Sequence, residues 1–405
     1  MNETSYIKKG TPVYQRAIAV LFLGSLAAFG AEYCLQPIIP VLAREFQLDP
    51  ATASLAMSFG TGGMAVSMLA IAGLAKRLAR KQTMTVAISV ASLLAIGMAV
   101  SHSFGFILLL RLCQGALLAG FPALALAYIS EEFDPHCVGL VVGIYVSGSS
   151  LGGLFGRLLI STATDYFSWR YALGAAGLFY LAISLLFWFG LPNPQRPLQR
   201  QAQAPASKDL WKLLHNGRLL GIYAVAFAAM GAFVCTYNYI TYVLIAPPYS
   251  LSQTAIGFVF SIYLIGTLAS TLMGSLSDRY GNGLILVISL LVMLSGILVT
   301  LSTPLFVKIA GLALFTYGFF GAHCTACGWA GKLARGDKAQ ASSMYMLFYY
   351  IGASVVGTAG GAFLSHFGWA GVVSSLTALL IAALLLSLRL ALPDLAPLQA
   401  RLKSR

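Results

Sequence analysis

The chain of 405 residues is 59% hydrophobic and only 9% charged, yet its formal net charge is +13. A soluble domain averages about 25% charged residues, so this composition excludes a soluble globular protein. The six cysteines fall almost entirely inside apolar stretches, and the one CxxC, Cys324 and Cys327, has no further ligands nearby. We therefore expect neither a disulfide framework nor a metal site.

Apolar stretches of about 20 residues recur along the whole chain, and each is long enough to cross a hydrocarbon core of about 30 Å. They are expected to be helices, because an open sheet leaves backbone groups unpaired in lipid. The expected spans are 17–40, 52–73, 83–101, 104–129, 137–161, 167–190, 219–246, 252–274, 283–302, 305–331, 340–364 and 368–391. The polar and basic start of the chain has no cleavage signature, so residues from Ala17 onward read as a retained span.

A polar segment, residues 191–218, separates two groups of six spans. Four prolines in its first half exclude a continuous helix there, whereas "SKDLWKLL" (207–214) suits a short amphipathic surface helix. We expect an N-terminal six-helix bundle over 1–190, a cytoplasmic linker over 191–218, and a C-terminal six-helix bundle with a tail over 219–405. The expected fold is all-α, with twelve transmembrane helices in two pseudo-symmetric bundles.

Lys and Arg residues predict the orientation. If the N-terminus is cytoplasmic, inside segments hold 20 of them and outside loops hold Arg44, Arg170 and Lys308. Positive residues favour cytoplasmic loops, so both termini are expected inside. The positive charge is thus a topology signal rather than a nucleic-acid patch.

The two halves resemble each other. "GLAKRLARK" (73–81) corresponds to "GSLSDRYGNG" (274–283), and "GSSLGG" (148–153) to "GTAGG" (357–361). With these repeats, "YCLQPIIPVLAREF", "YISEEFDP", "YNYITY" and "GKLARGDKAQASSMYMLFYYIGAS", nearly the whole chain resembles the major facilitator superfamily. Within it, the chain is similar to YnfM-type transporters of the bacterial inner membrane, a drug and metabolite efflux group. The resemblance implies a monomeric secondary transporter of small molecules, not an enzyme and without a cofactor.

The resemblance also implies gating residues. The family's loop motif has an acid where this chain has Lys76 and a glycine where it has Ala79, although Arg80 and Lys81 are kept. The second copy keeps Asp278 and Arg279, so Asp278 is expected to carry more of the charge lock. In the fifth span, Gly148, Gly152 and Gly153 match the antiporter motif, but Ser149 replaces its usual proline. Antiport is implied less strongly as a result.

Glu32 stands inside an apolar span. A charge at mid-bilayer costs about 2.5–3.5 kcal/mol, so such a residue usually faces a cavity or a partner. At 1.5 Å per residue, Glu32 lies roughly 22 Å along the first helix and Arg111, in the intact "RLCQG" motif, about 10 Å below the outer surface. These depths are similar, so an ion pair is possible. The resemblance associates Arg111 with proton coupling. Glu32 is either the proton switch or cation anchor, or a structural partner of Arg111.

Helical spacing places further polar and aromatic residues on shared faces. Ser25, Phe29, Glu32 and Gln36 share one stripe, and Arg111 and Gln114 share another. The substrate-binding candidates are Glu32, Gln36, Arg111, Gln114, Tyr145, Tyr237, Asn238, Tyr242, His323, Tyr345 and Tyr349. Apolar walls with a few polar groups suit an amphipathic organic compound. His323 and Arg157 are each open to a packing interpretation as well.

The favoured function is proton-coupled efflux of small organic compounds by alternating access. The alternative is a uniporter or importer of a small metabolite. A membrane sensor would need an added soluble domain, and the longest non-membrane segment is the linker of 28 residues. A membrane enzyme would need paired carboxylates or a Ser–His arrangement, and a primary pump would need a P-loop. The sequence contains none of these. The expected partners are a small-molecule substrate, protons and the lipid bilayer.

Overall fold

The structure, a computed structural model, describes residues 6–74, 78–194, 215–334 and 338–403. Within them it describes no side chains for 69–74, 338–339 and 393–403. Lys76 and the predicted surface helix at 207–214 lie outside the described residues. The described chain is helical, with one isolated bridge between Ile7 and Phe133.

The first part of the chain forms eight α-helices. They are α1 (Pro12–Tyr33), α2 (Ile39–Glu45), α3 (Pro50–Leu74), α4 (Arg80–Ala99), α5 (Phe104–Leu118), α6 (Phe121–Glu132), α7 (Val138–Tyr166) and α8 (Trp169–Gly190). A 3₁₀ turn, Gln36–Ile38, links α1 to α2. The first and fourth predicted spans are thus interrupted helices rather than continuous ones.

From residue 215 onward, the described chain forms six more α-helices. They are α9 (Gly217–Ile245), α10 (Gln253–Val259), α11 (Tyr263–Tyr280), α12 (Asn282–Val299), α13 (Leu305–Leu333) and α14 (Lys338–Lys403). A 3₁₀ turn, Phe260–Ile262, joins α10 to α11. The long α14 bends at Gly368, whose φ of 62° breaks the helical backbone.

The spans number twelve in the described chain, as the sequence predicts. Ten helical segments are long and apolar enough to cross a membrane, and one of them, Gln340–Leu392, contains the bend at Gly368 and so holds two spans. The 25-residue α3 supplies the remaining span. The all-α polytopic fold is therefore confirmed.

Local chemistry explains why the interrupted spans break where they do. Pro37 lacks an N–H group, so the helical hydrogen bonds of α1 end near Cys34, its C-cap residue. In the fourth span, Gly120 caps the start of α6 and Pro122 occupies its first turn. Proline and glycine together therefore divide these spans without ending their passage through the membrane.

The chain divides into two compact units. The first contains Met1–Val41, Phe59–Ala204 and Ser252–Gly257, and the second contains Leu42–Ser58, Pro205–Leu251 and Phe258–Arg405. Helix α3 contributes its first nine residues to the second unit and the rest to the first.

In the first unit, glycines bring α7 against α1. A Cβ at Gly148 would meet the carbonyl oxygen of Phe22 at 2.6 Å, and one at Gly152 or Gly156 would meet backbone of Leu26 or Gly30 at 2.5 Å. Small residues at four-residue spacing allow this approach between transmembrane helices. These glycines therefore form a packing seam within α7, which is uninterrupted from Val138 to Tyr166.

In the second unit, hydroxyl groups join the start of α3 to α14. The Ser58 hydroxyl lies 2.6 Å from the Thr358 hydroxyl, and the Ser354 hydroxyl donates to the Ser58 carbonyl at 3.1 Å. One turn earlier, the Tyr239 hydroxyl of α9 donates to Ser54 at 2.9 Å. These bonds satisfy polar groups that an apolar interior would penalise.

Asp49 caps the start of α3. Its carboxylate accepts from the N–H groups of Ala51 at 2.9 Å and Thr52 at 3.1 Å, and from the Thr52 hydroxyl at 2.6 Å. Pro50 at the first helical position costs no hydrogen bond. The Thr52 hydroxyl, followed by the Thr52 N–H, holds the pKa of Asp49 below its ordinary value.

Replacing Asp49 by alanine should lower the free energy of unfolding by about 1 kcal/mol at neutral pH, as for other N-caps. Because the folded-state pKa is lowered, the ionised cap stabilises the protein at neutral pH and loses that effect as pH falls through its folded-state pKa. Thermal melts of wild type, Asp49→Ala and Asp49→Asn from pH 7 downward measure this. The gap between wild type and Asp49→Asn should close toward low pH, and a constant gap would contradict the account.

Glu131, near the end of α6, pairs with Arg80 at the start of α4. The Arg80 Nε donates to Glu131 Oε2 at 2.5 Å, and Nη2 contacts the other carboxylate oxygen, which makes the pair bidentate. The Arg80 side chain is 9% exposed and that of Glu131 24%. Lys81 instead donates to Asn193 at 3.1 Å and lies over the ring of Trp188.

We expect Glu131→Gln to lower the free energy of unfolding by about 1–2 kcal/mol, because a partly buried bidentate pair is stronger than an exposed one. The exchanged pair, Arg80→Glu with Glu131→Arg, should recover most of the loss. Melting temperatures of the purified variants, each compared with that of the wild type, measure the effect. A double variant no more stable than the single one would refute a direct pair.

Candidate functional site

The polar centre of the first unit is built on the interrupted end of α1. A helix that ends inside an apolar region leaves backbone carbonyls without partners. Arg111 of α5 satisfies them: Nη2 donates to the Glu32 carbonyl at 2.7 Å and Nη1 to the Ala31 carbonyl at 3.3 Å. The guanidinium also lies at the negative end of the helix dipole. Arg111 therefore caps the broken helix.

The Glu32 carboxylate is a loosely held neighbour of this cap. Its Oε1 lies 3.5 Å from Arg111 Nη2, longer than the bonds from the same arginine to backbone, and Oε2 has no hydrogen-bond partner among the described residues. Both side chains are buried, at 1% and 0% exposure. The ion pair expected from the sequence is present, but its geometry is poor. Glu32 thus keeps one oxygen available for a proton or a cation.

Gln114 holds Arg111 in place. Its Oε1 accepts from Arg111 Nη1 at 2.5 Å, and its Nε2 donates to the Ala91 carbonyl of α4 at 2.8 Å. Arg111 and Gln114, which the sequence places on one helix face, are therefore joined by a direct hydrogen bond. The role of either residue in proton coupling or substrate binding stays a prediction.

Two glycines bring α3 over the pair. A Cβ on Gly60 would meet Glu32 Oε1 at 2.8 Å and Arg111 Cζ at 2.9 Å. A Cβ on Gly115 would lie 2.7 Å from the Gly60 carbonyl carbon. The glycine of the "RLCQG" motif therefore has a packing reason, since it lets α3 and α5 cross at backbone contact. The contact of Gly60 with Glu32, Arg111 and Gly115 is seen only in the structure, not in the sequence.

Gln36 accepts hydrogen bonds from a second buried arginine, Arg157. Its Oε1 accepts from Arg157 Nε at 2.9 Å and Nη2 at 2.7 Å, while Arg157 Nη1 donates to the Gly153 carbonyl. The Arg157 guanidinium also lies 4.6 Å from the centre of the Tyr33 ring. The sequence did not pair Gln36 with Arg157. The role of Gln36 in substrate binding stays a prediction.

Tyr145 packs away from this centre. Its ring stacks on Phe121 at 6.4 Å, its carbonyl accepts from Ser25 at 3.0 Å, and its hydroxyl has no partner among the described residues. Tyr145 is 3% exposed. Its predicted contact with substrate stays a prediction.

The second unit contains a connected cluster of rings. Tyr237 of α9 is buried, its hydroxyl lies 2.6 Å from that of Thr316, and its ring lies 5.0 Å from Phe233. Phe233 stacks on Phe319 at 3.8 Å, and Phe319 lies parallel to His323 at 6.0 Å. The cluster links two predicted site residues that are far apart in sequence. No spacing in the sequence identifies Phe233 or Phe319 as the connection.

His323, Tyr345 and Tyr349 form one group at the end of this cluster. His323 Nδ1 lies 2.9 Å from the Tyr345 hydroxyl, and the Tyr349 ring centre lies 4.8 Å from that of His323. Asn238 is fully buried, and half-buried Tyr242 contacts the ring of Tyr239 at 6.4 Å. The structure thus brings His323, Tyr345 and Tyr349 together. Asn238 and Tyr242 are not part of this group of three.

The remaining gating candidates lie at helix ends. Asp278 of α11 pairs with Lys332 of α13 at 3.1 Å, and both side chains are exposed, at 76% and 59%. Arg279 lies over the ring of Tyr280 at 5.2 Å. An exposed pair of this kind contributes little to stability. A gating role for Asp278 or Arg279 stays a prediction.

Comparison with known proteins identifies the family. The family model described as the Major Facilitator Superfamily matches residues 21–247 and 228–404. The MFS-type transporter YybF of Bacillus subtilis is 40% identical over 384 residues, which cover 95% of each chain. The inner membrane transport protein YnfM of Escherichia coli is 40% identical over 387 residues, covering 95% of this chain and 93% of YnfM.

The fold agrees with solved transporter structures. The nucleoside transporter NupG superposes with a TM-score of 0.76 at 14% identity, covering 94% of this chain and 99% of that one. At this identity the likeness concerns the fold alone. The family match and the two full-length relatives identify the protein: the chain belongs to the major facilitator superfamily and is a membrane transporter of small molecules, not an enzyme.

Proposed function

We propose that the protein exports small amphipathic organic compounds in exchange for protons. The observation that carries this proposal is the Glu32 carboxylate, which is 1% exposed, 3.5 Å from Arg111, and has one oxygen without a partner among the described residues. A buried acid in a transmembrane bundle is functional by default, and a carboxylate with a free oxygen can take up and release a proton.

The geometry supports different tasks for the two charges. Arg111 is held by two α1 carbonyls and Gln114, so it is a fixed cation. Glu32 is the movable partner, because its bond to Arg111 is the longest of that set. A fixed cation beside an acid favours the ionised form, whereas burial favours the neutral form. Opposed influences of this kind let a conformational change move the proton on or off.

The proposal includes the setting of the protein. We propose a monomer in the bacterial inner membrane with both termini in the cytoplasm, and two six-helix halves, 1–190 and 219–405, joined by a cytoplasmic linker. The basic residues of the inner loops support this orientation. Alternating access would then occur as the halves rock, with Arg80, Lys81, Asp278, Arg279 and the α7 glycines as gating residues.

One observation favours a second candidate, a uniporter or importer of a small metabolite. Ser149 occupies the position where the antiporter motif usually has proline, and its hydroxyl donates to the Val146 carbonyl at 2.7 Å within a regular helix. The chain therefore lacks the proline that the antiporter pattern supplies at this position. Uniport needs no titrating acid, so uniport and antiport differ in whether protons move. A proton-coupled importer would differ from an antiporter in moving protons in the same direction as the compound.

Proton movement in liposomes distinguishes the two candidates. Purified protein is reconstituted with a pH-sensitive dye inside, a pH gradient is imposed, and a panel of amphipathic compounds is added in turn. Compound-triggered proton movement opposite in direction to the compound supports antiport, and movement in the same direction would replace antiport by proton-coupled import. Counterflow of a labelled compound with no proton movement would replace antiport by uniport. Empty liposomes with the same compounds give the background.

A further inference from the structure

A stack of nearly parallel rings in the second unit ends at His323. Phe315 and Phe233 are inclined by 11°, Phe233 and Phe319 by 13°, and Phe319 and His323 by 11°. The inner rings are buried, with Phe319 at 1% exposure, whereas His323 and its neighbour Tyr349 are half-buried. Aromatic rings favour such offset stacking, so a further planar ring that reached the half-buried His323 would extend this series.

The hydrogen bonds of His323 allow its Nε2 to be either a hydrogen-bond donor or a hydrogen-bond acceptor. The Tyr345 hydroxyl lies 2.9 Å from Nδ1 and 3.3 Å from the His323 carbonyl oxygen. This hydroxyl has one hydrogen and can donate it to one of them at a time. Both arrangements keep Tyr345 and Nδ1 bonded to each other, so neither state leaves Nδ1 without a partner.

The two states give Nε2 opposite chemistry. When Tyr345 donates to Nδ1, the neutral imidazole carries its hydrogen on Nε2, which becomes a donor. When Tyr345 donates to the backbone carbonyl, Nδ1 carries the hydrogen and donates to the phenol oxygen, so Nε2 becomes an acceptor. Rotation of the Tyr345 O–H bond, together with loss of the ring hydrogen from Nε2 to solvent and uptake of one at Nδ1, therefore changes what the imidazole offers to a ligand.

We propose that His323, Tyr345 and Tyr349 form a binding site for neutral planar aromatic compounds that carry one hydrogen-bonding group, whether donor or acceptor. The ligand ring stacks on the half-buried His323 ring and contacts Tyr349, whose ring centre lies 4.8 Å from that of His323. The ligand's polar group bonds to Nε2. The inference rests on the proposed function, because it names the class of compound that the transporter carries.

Three bicyclic compounds of similar size test the site. Indole has an N–H donor, quinoline a nitrogen acceptor, and naphthalene neither. Binding is measured calorimetrically on the purified full-length protein in detergent, at a pH where all three are neutral. Wild type should bind indole and quinoline with similar affinities, each about tenfold more tightly than naphthalene, the effect of one good buried hydrogen bond.

Tyr345→Phe is the discriminating variant. Without the phenol, hydrogen on Nδ1 would be a buried donor with no acceptor, so the imidazole should keep its hydrogen on Nε2. Quinoline binding should then persist while indole binding falls by about tenfold. Equal binding of both compounds in this variant would overturn the proposed two-state site.

His323→Phe keeps a ring at the end of the series and removes Nε2. Both heterocycles should fall to the affinity of naphthalene, and unchanged binding would overturn the proposal. Tyr349→Leu removes the neighbouring ring, so it should weaken all three compounds, including naphthalene. Each variant is compared with wild type by gel filtration and melting temperature, and the two variants at different positions keep the test valid if one fails to fold.

Failure of this proposal is separable from failure of proton coupling. Binding in detergent requires no gradient and no titration of Glu32. The expected order of affinities for indole, quinoline and naphthalene can therefore be found in a uniporter as well. Conversely, an antiporter that shows no discrimination in Tyr345→Phe would keep the proposed function and lose this site.

Discussion

Glu32→Gln should abolish compound-driven proton movement in liposomes, a reduction of at least about tenfold, because an intramembrane coupling acid has no substitute. Glutamine has nearly the shape of the carboxylate but cannot exchange a proton. Glu32→Asp keeps the titrating group on a shorter side chain and should retain part of the signal. Exposed Glu45→Gln is the matched control and should behave as wild type.

The same variant should fold. Arg111 donates to the carbonyls of Ala31 and Glu32 and to Gln114, so loss of the 3.5 Å contact removes the weakest of its bonds. We expect Glu32→Gln to change the free energy of unfolding by about 1 kcal/mol or less, as for one weak hydrogen bond. Arg111→Ala leaves several buried acceptors unpaired and should cost about 3 kcal/mol or more.

The two melting temperatures and the proton signal together decide the role of Glu32. A folded Glu32→Gln protein without proton movement makes Glu32 the coupling acid. If this variant moves protons like wild type, Glu32 is a structural neighbour of Arg111. If Glu32→Gln instead lowers the free energy of unfolding as much as Arg111→Ala, the ion pair is structural. Glu32 would then not be the weakly bonded partner of Arg111.

Gly115→Ala should destabilise the first unit strongly. The added Cβ would lie 2.7 Å from the carbonyl carbon of Gly60 and 3.0 Å from its Cα. These neighbours are backbone atoms, so α3 and α5 must move apart. Such overpacking costs about 1–3 kcal/mol or more. Because Gly60 lies over Glu32 and Arg111, separation of the two helices also opens the polar centre, and transport should fall with stability.

Gly143→Ala is the matched control for this experiment. Gly143 also lies inside a helix, α7, but a Cβ there meets no atom within 4 Å. Alanine is favoured over glycine in helices by about 1 kcal/mol, so this variant should melt at or above wild type. Thermal melts and liposome transport of both variants are compared. A Gly115→Ala protein that melts and transports like wild type would refute the close crossing.

Much of the Glu32 site was readable from the sequence. An acid in an apolar span, and an arginine and a glutamine three residues apart on another, predict a polar centre wherever helices meet, because lipid penalises isolated charges. The depth estimate also placed Glu32 near Arg111. The pairing of Gln36 with Arg157 was not readable, since it depends on the turn that the chain takes after Tyr33.

The sequence by itself determined the class, the number of spans and the family, because apolar length and recurring motifs are local properties of the chain. Tertiary structure decided which groups meet. Arg111 caps α1 because Pro37 ends that helix inside the bundle, and Gly115 is a contact because Gly60 of another helix approaches it. The stack from Phe315 to His323 joins residues of α9 and α13. Such contacts depend on helix rotation and crossing, which one-dimensional spacing does not specify.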